Sequence, residues 1–330
     1  MTVYVSLPLS GPRAADGADA ADAARLALEE AGGRAGSVQV RAEFLDDAGG
    51  SGWDPVAVGA NARTAVQDSS AAAYIGELDS EPTRGSVPIT NDAGLLQVSP
   101  GAGAVDLTQP ATGYPDSPER YQVSGEPNFA RTVPTDDVQV SAAADWASEL
   151  GVRRLIVISD ETPYETLMDQ EFTDAAEARG VEVSNPMAGR PRPAGGAGGS
   201  GPIYDVGTQA LDLDDGGAKL RTSALLDPAR LPDPSFVGSF SRRFGREPGP
   251  YAAYGYEAMA LVLQVIAGGG TDPSDFRDNV REGVFGAERP DSVLGSYSID
   301  SDGDTTGCMI QRYRVVGSNE KPLGAPCPPN

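Results

Sequence analysis

"AAAYIGELDSEPTRGSVPITNDAGLLQVSPGAGAVDLT", residues 71–108, decides how the chain folds. It opens on a short apolar run, AAAYIG (71–76), of strand length. A polar segment follows, and 81–92 reads as a helix. A second apolar run, GLLQVS (94–99), stops in Ser-Pro-Gly-Ala-Gly. Two strands joined by a helix of that length run parallel, because the helix carries the chain back along the sheet. Ligands of open parallel sheets bind outside the carboxyl ends of the strands. Both stops are strand ends of that kind. GELDSEPT (76–83) leads into a helix start, where unpaired amides and the helix dipole favour an anion. Ser80 and Thr83 add hydroxyl donors there. Ala102 and Gly103 carry little bulk, so backbone approaches a ligand closely. Taken singly, these are a helix cap and a glycine turn. On adjacent strands they are expected to line one pocket for a small carboxylate.

The same rhythm extends outward. VYVSLPLSG (3–11) reads as a buried strand, the Ala-rich 18–31 as a helix stopped by Gly32-Gly33, and VQVRAEFLDD (38–47) as a second strand. Asp54-Pro55 supplies an N-cap and a proline at the first helical position for a helix over 55–68. The alternation predicts an α/β fold with a parallel sheet covered on both faces. Residues 109–127 are turn-rich, after which the pattern restarts. Thr135 or Asp136 caps a helix ending at Leu150-Gly151, RRLIVIS (153–159) is a strand, 163–179 a helix and VEVS (181–184) a strand. The Gly/Pro-rich 186–217 reads as a flexible segment. One strand is expected in 218–226 and helices at 234–244, 251–267 and 273–282. Residues 294–317 read as a terminal hairpin.

Composition narrows the function. At 330 residues and 39% hydrophobic, the chain can bury substantial cores. A net charge of −23 makes nucleic acid and anionic lipid poor partners. The absence of histidine removes the usual general base and the commonest zinc ligand. The two cysteines, Cys308 and Cys327, make a disulfide suited to an oxidising compartment or remain two buried thiols. Strand-like residues begin at Val3, and no signal peptide precedes them.

The stretch at 71–108 resembles the type I periplasmic binding proteins, in particular the branched-chain amino-acid-binding receptors of ABC importers. So do LPLSGPRAADGADAADAARLALEEAGG (7–33), RRLIVISDETPYETLMDQEFTDAAEARGVEV (153–183) and FGREPGPYAAYGYEAMALVL (244–263). The resemblance implies two doubly wound parallel-sheet lobes, residues 1–133 plus 232–298 and residues 134–231 plus 299–330. A ligand would be held between them by hinge closure. It implies a non-enzymatic, extracytoplasmic, monomeric solute-binding protein without a cofactor, whose partners are a small amino-acid-like ligand and an importer's membrane subunits. Carried onto matching positions, Ser80 would bind the ligand carboxylate, with Thr83 at the start of the following helix. Ala102 and Gly103 would give backbone contacts, and Tyr164 would reach the ligand from the second lobe. Asp16, and Leu78 and Asp79 in the loop before Ser80, complete the set.

Three positions depart from the family pattern. Gly103 stands where relatives often have Thr, and Glu165 replaces a usual Gly. The middle of the second lobe reads as shortened, because 186–217 leaves little room for a further βαβ unit. No ammonium ligand is carried over, and the spacing of Tyr204 and Asp205 does not support them in that role.

Other motifs have plainer readings. DSDGDT (300–305) places Asp300, Asp302 and Asp304 at alternate positions, as in a metal loop, but a polar hairpin turn accounts for it. Glu77, Asp79, Glu81 and Asp16 would form a solvated acidic rim, and Tyr251 and Tyr254 would pack. A sensor domain of a regulator, or a metal-dependent phosphotransferase using the Asp300 loop, are the alternative functions.

Overall fold

The computed structural model describes residues 1–330 except 51, 161, 185–200, 214–217, 270–274 and 328–330. Along the chain, β1 (Thr2–Leu7) leads to α1 (Ala14–Glu30), and a small hairpin, β2 (Arg34–Ala35) and β3 (Val38–Gln39), precedes β4 (Arg41–Asp46). Then come α2 (Pro55–Gln67), β5 (Ala71–Ile75), α3 (Ser80–Asp92), β6 (Leu96–Ser99) and β7 (Phe129–Arg131). The pattern repeats in α4 (Asp136–Glu149), β8 (Arg154–Ile158), α5 (Pro163–Ala178) and β9 (Glu182–Ser184). Three strands follow, β10 (Ile203–Asp205), β11 (Ala210–Asp212) and β12 (Lys219–Ser223), then α6 (Ser235–Phe244), α7 (Ala252–Gly268) and α8 (Phe276–Glu282). The last strands are β13 (Glu288–Arg289), β14 (Tyr297–Ser298), β15 (Gln311–Val316) and β16 (Asn319–Pro322).

Two compact units result. The first holds residues Met1–Gln109, Asp116–Pro134 and Asp227–Gly307. Its sheet has the order β4-β1-β5-β6-β7, and every neighbouring pair is parallel. Period-two alternation along β1 explains the two covered faces. Val3, Val5 and Leu7 enter the core shared with α1 and α7, whereas Tyr4 packs on the other face with Ala62, Ala65 and Tyr74. Small residues let α1 approach α7 closely, since Ala20, Ala21 and Ala24 are all fully buried. Residues 299–307 belong here, with Ile299 in the core, whereas the sequence placed them in the second lobe.

The second unit holds Pro110–Pro115, Thr135–Leu226 and Cys308–Asn330. Its sheet has the order β16-β15-β12-β11-β10-β8-β9. Only β9, β8 and β10 are parallel neighbours; the other pairs are antiparallel. The second sheet is thus parallel on one side and antiparallel on the other. It corrects the flexible reading of 186–217 where that segment is described. Residues 185–200 and 214–217 lie outside the described residues, but β10 and β11 form an antiparallel pair between them. A tight antiparallel connection needs no crossover helix, so a sheet is completed with few residues. Tyr204 anchors it, fully buried and stacked on Phe172 with ring centroids 3.7 Å apart. The terminal hairpin is β15 with β16, whereas β14 pairs with β13. Cys308 and Cys327 form a disulfide within this unit, their Cα atoms 4.9 Å apart. Among the described residues, no helix is long and apolar enough to cross a membrane.

Candidate functional site

Each strand of the first sheet ends in a buried polar side chain: Ser6, Asp47, Glu77, Ser99 and Arg131. Two of them organise the loops above. The Ser99 hydroxyl donates to the Glu77 carbonyl at 2.6 Å and accepts from the amides of Gly101 (3.2 Å) and Ala102 (2.9 Å). Arg131, fully buried, donates to the carbonyls of Ala102 (2.9 Å) and Ala104 (2.8 Å), and to Asp304 at 2.7 Å. Gly101 is required where the loops touch, because a Cβ there would lie 2.2 Å from the Leu78 carbonyl oxygen. Gly76 is required likewise, at φ +145° with the Ser6 carbonyl 2.4 Å from the position of a Cβ. The two strand-end loops therefore meet, as 71–108 suggested.

Beneath them lies a carboxyl pair. Asp47 and Glu77 are 1% and 0% exposed. Tyr74 donates to Glu77 Oε1 at 2.6 Å, but no N–H or hydroxyl of the described residues reaches Glu77 Oε2 or either Asp47 oxygen. The two carboxyls are close enough to act on each other electrostatically, each disfavouring the other's charge. Burial, then the neighbouring carboxyl, pushes Glu77 far above the usual carboxylate range, and burial pushes Asp47 up to about 6.

The acidic rim is not simply solvated. Arg13, unnoticed in the sequence, donates from Nη1 to both Asp79 oxygens (3.1 and 2.9 Å), from Nε to Asp16 (2.7 Å) and from Nη2 to the Tyr251 hydroxyl (3.1 Å). Burial works against its charge, but Asp79 and then Asp16 outweigh burial and hold the guanidinium more firmly protonated than usual. Tyr251 thus belongs to this cluster as well as packing. The i,i+3 spacing of Arg13 and Asp16 was the only local signal; Asp79 is 66 residues away.

The candidates meet different fates. Ser80 accepts the Ala104 amide at 3.0 Å, which joins the two loops. Thr83 is fully buried, and its hydroxyl donates to the Asp79 carbonyl at 2.7 Å, one helical turn back. Leu78 is a core side chain at 1% exposure, so only its backbone lies in the loop. Both backbone groups of Ala102 are already bonded, to Ser99 and Arg131, and Gly103 is buried beside it. The side chains of Thr83, Leu78 and Ala102 are thus turned inward. Asp304 is no metal ligand in waiting, since its carboxylate is held by Arg131, Thr108 (3.1 Å) and Gln109 (2.9 Å). Asp300 accepts the amides of Asp302 and Asp304 at 2.9 Å each, which makes 300–305 the polar turn expected.

In the second unit, Tyr164 is half-buried at the start of α5. Burial, then its hydrogen-bonded neighbour Asp136, raises its hydroxyl well above the ordinary tyrosine value. Glu165 is a structural brace, accepting the Asp160 amide at 2.6 Å while its own amide bonds the Thr162 hydroxyl at 3.2 Å.

A family model described as "Periplasmic binding protein" matches residues 2–191. Among solved structures, a leucine-binding protein, LivK, from Thermotoga maritima superposes with a TM-score of 0.74 at 20% identity, covering 99% of each chain. The substrate-binding protein LivJ from Streptococcus pneumoniae, in complex with isoleucine, gives 0.69 at 18% identity and 99% of each chain. A solute-binding protein from Rhodopseudomonas palustris, in complex with 3,4-dihydroxybenzoic acid, gives 0.71 at 17%, covering 99% of this chain and 97% of that one. No curated protein sequence matches significantly. With more than half its length matched and 99% of it superposed, this chain belongs to the periplasmic binding protein family and has the type I fold.

Proposed function

We propose that the chain is the solute-binding component of an ABC importer, acts outside the cytoplasm, and binds a small carboxylate-bearing solute at the amino end of α3. The observation that carries this reading is the state of Ser80. Its oxygen accepts the Ala104 amide, and its proton has no acceptor among the described residues. The amides of Ser80 and Glu81 precede the first intrahelical bond of α3, which Thr83 makes to Asp79. Asp79, at the cap position, makes no side-chain cap bond. Three donors thus share one helix end, enough for both oxygens of a carboxylate.

The named ligands of the structural relatives support the chemistry. Leucine and isoleucine are isomeric α-amino acids and 3,4-dihydroxybenzoate is an aromatic acid without an ammonium group, and what all three share is a carboxylate. The remaining part of the proposal is that hinge closure brings Tyr164 over the bound solute.

Calorimetry with these three compounds tests the reading. Ser80→Ala is expected to weaken the tightest of them by about 1 to 3 kcal/mol, the worth of a charge-assisted hydrogen bond. Affinity that survives both Ser80→Ala and methyl esterification of the ligand would reject it.

A further inference from the structure

We propose that Arg13 is a positioning residue: it holds Asp79 away from the amino end of α3, which this carboxylate would otherwise cap. The consequence for binding rests on the reading above, but the positioning itself does not.

The comparison that motivates it is with α2. Asp54 precedes that helix with extended backbone (φ −125°, ψ 122°) and accepts the amides of Val56 and Ala57, at 2.7 and 3.0 Å. Asp79 precedes α3 with similar backbone (φ −121°, ψ 157°) and accepts neither. An N-cap side chain bonds the second or third helical amide. In α3 the third residue is Pro82, which has no amide, so Glu81 N–H is the one target left. Both Asp79 oxygens face Arg13 Nη1 instead.

A charge-assisted bond to guanidinium outcompetes a bond to a neutral amide. Arg13 is also held in place, by Asp16 on Nε and by the Tyr251 hydroxyl on Nη2. The arrangement therefore costs little further side-chain freedom. It has an electrostatic effect too. Arg13 offsets one of the two charges of Asp16 and Asp79, so an arriving carboxylate meets less repulsion at the helix end. Without Arg13, Asp79 would swing onto the Glu81 amide and place a carboxylate where the solute's carboxylate is proposed to sit.

The test uses the full chain, with Arg13→Gln, Asp79→Ala and the double variant. Amide hydrogen exchange and the pH titration of the Glu81 amide by NMR report on capping without any ligand. In Arg13→Gln, Glu81 N–H is expected to become protected and to shift with the Asp79 carboxylate titration. In the parent chain and the double variant it should do neither. For the tightest binder among leucine, isoleucine and 3,4-dihydroxybenzoate, Arg13→Gln is expected to cost about tenfold or more in affinity, and the double variant to recover to within about threefold of the parent. An unchanged Glu81 amide in Arg13→Gln overturns the proposal. So does a double variant that binds as weakly as Arg13→Gln or worse, since that marks a merely structural role or a direct contact. If none of the three compounds binds the parent chain, the functional reading fails, and the Glu81 amide alone decides the role of Arg13.

Discussion

The two sheets end their strands differently. In the first unit, all five strands run parallel and each terminates in a buried polar side chain, from Ser6 to Arg131. In the second unit, β8 is followed by the half-buried Ser159 and β10 by the buried Val206, with no comparable polar layer among the described residues. That unit is instead closed by antiparallel strands and a disulfide. The hydrogen-bonded part of the first unit's layer, at Ser99 and Arg131, is costly to disturb and specifies one geometry. Antiparallel strands with a covalent staple specify compactness without aiming any group. The difference gives the first unit the more rigidly held loops, at the place where a carboxylate is proposed to bind.

The largest expected effect breaks the polar layer. Arg131→Met leaves Asp304 buried beside an apolar side chain, which costs about 3 to 5 kcal/mol in urea unfolding. It also frees the Ala102 and Ala104 carbonyls. A loss below about 1 kcal/mol would show that the layer is not what holds the first unit.

The counterpart in the second unit is the disulfide. The bond spans a sequence separation of 19, for which chain entropy gives about 3 kcal/mol. Replacing both cysteines by serine should lower stability by that amount and raise hydrogen exchange in β12, β15 and β16. Faster exchange in β1 and β5 instead would contradict the contrast between the units.

The carboxyl pair gives a smaller effect with a definite sign. Asp47 and Glu77 are raised in the folded chain, so the folded state keeps protons that the unfolded chain releases above about pH 4. Their contribution to stability is present in acid and is lost as pH rises through about 6, where Asp47 titrates. Each pH unit of retained proton is worth about 1.4 kcal/mol. Glu77→Gln should therefore flatten the fall in stability between acidic and neutral pH relative to the parent. Parallel pH profiles for the two proteins would mean that no proton is retained.

Much of the fold was legible because its signals are local. Asp54-Pro55 caps and starts α2 within three residues, and the glycines after α1 end it nearby. The apolar runs at 71–76 and 94–99 became β5 and β6 in parallel register. The short β7 escaped notice because three residues carry too little pattern. The strands at 203–205 and 210–212 escaped because flanking Gly and Pro masked Tyr204 and Leu211, whose burial only the sheet provides.

Sequence by itself determined the alternation of strands and helices, the placement of Ser80 at a helix start and the two strand ends that meet above the sheet. Each follows from residues within a turn or two of one another. Only the tertiary structure decided which candidates remain accessible. It turned Thr83, Leu78 and Ala102 inward, paired Arg131 with Asp304 across 173 residues and set Arg13 against Asp79 across 66. Those pairings depend on which strand ends become neighbours in space, and an ion pair leaves no periodic trace along a chain.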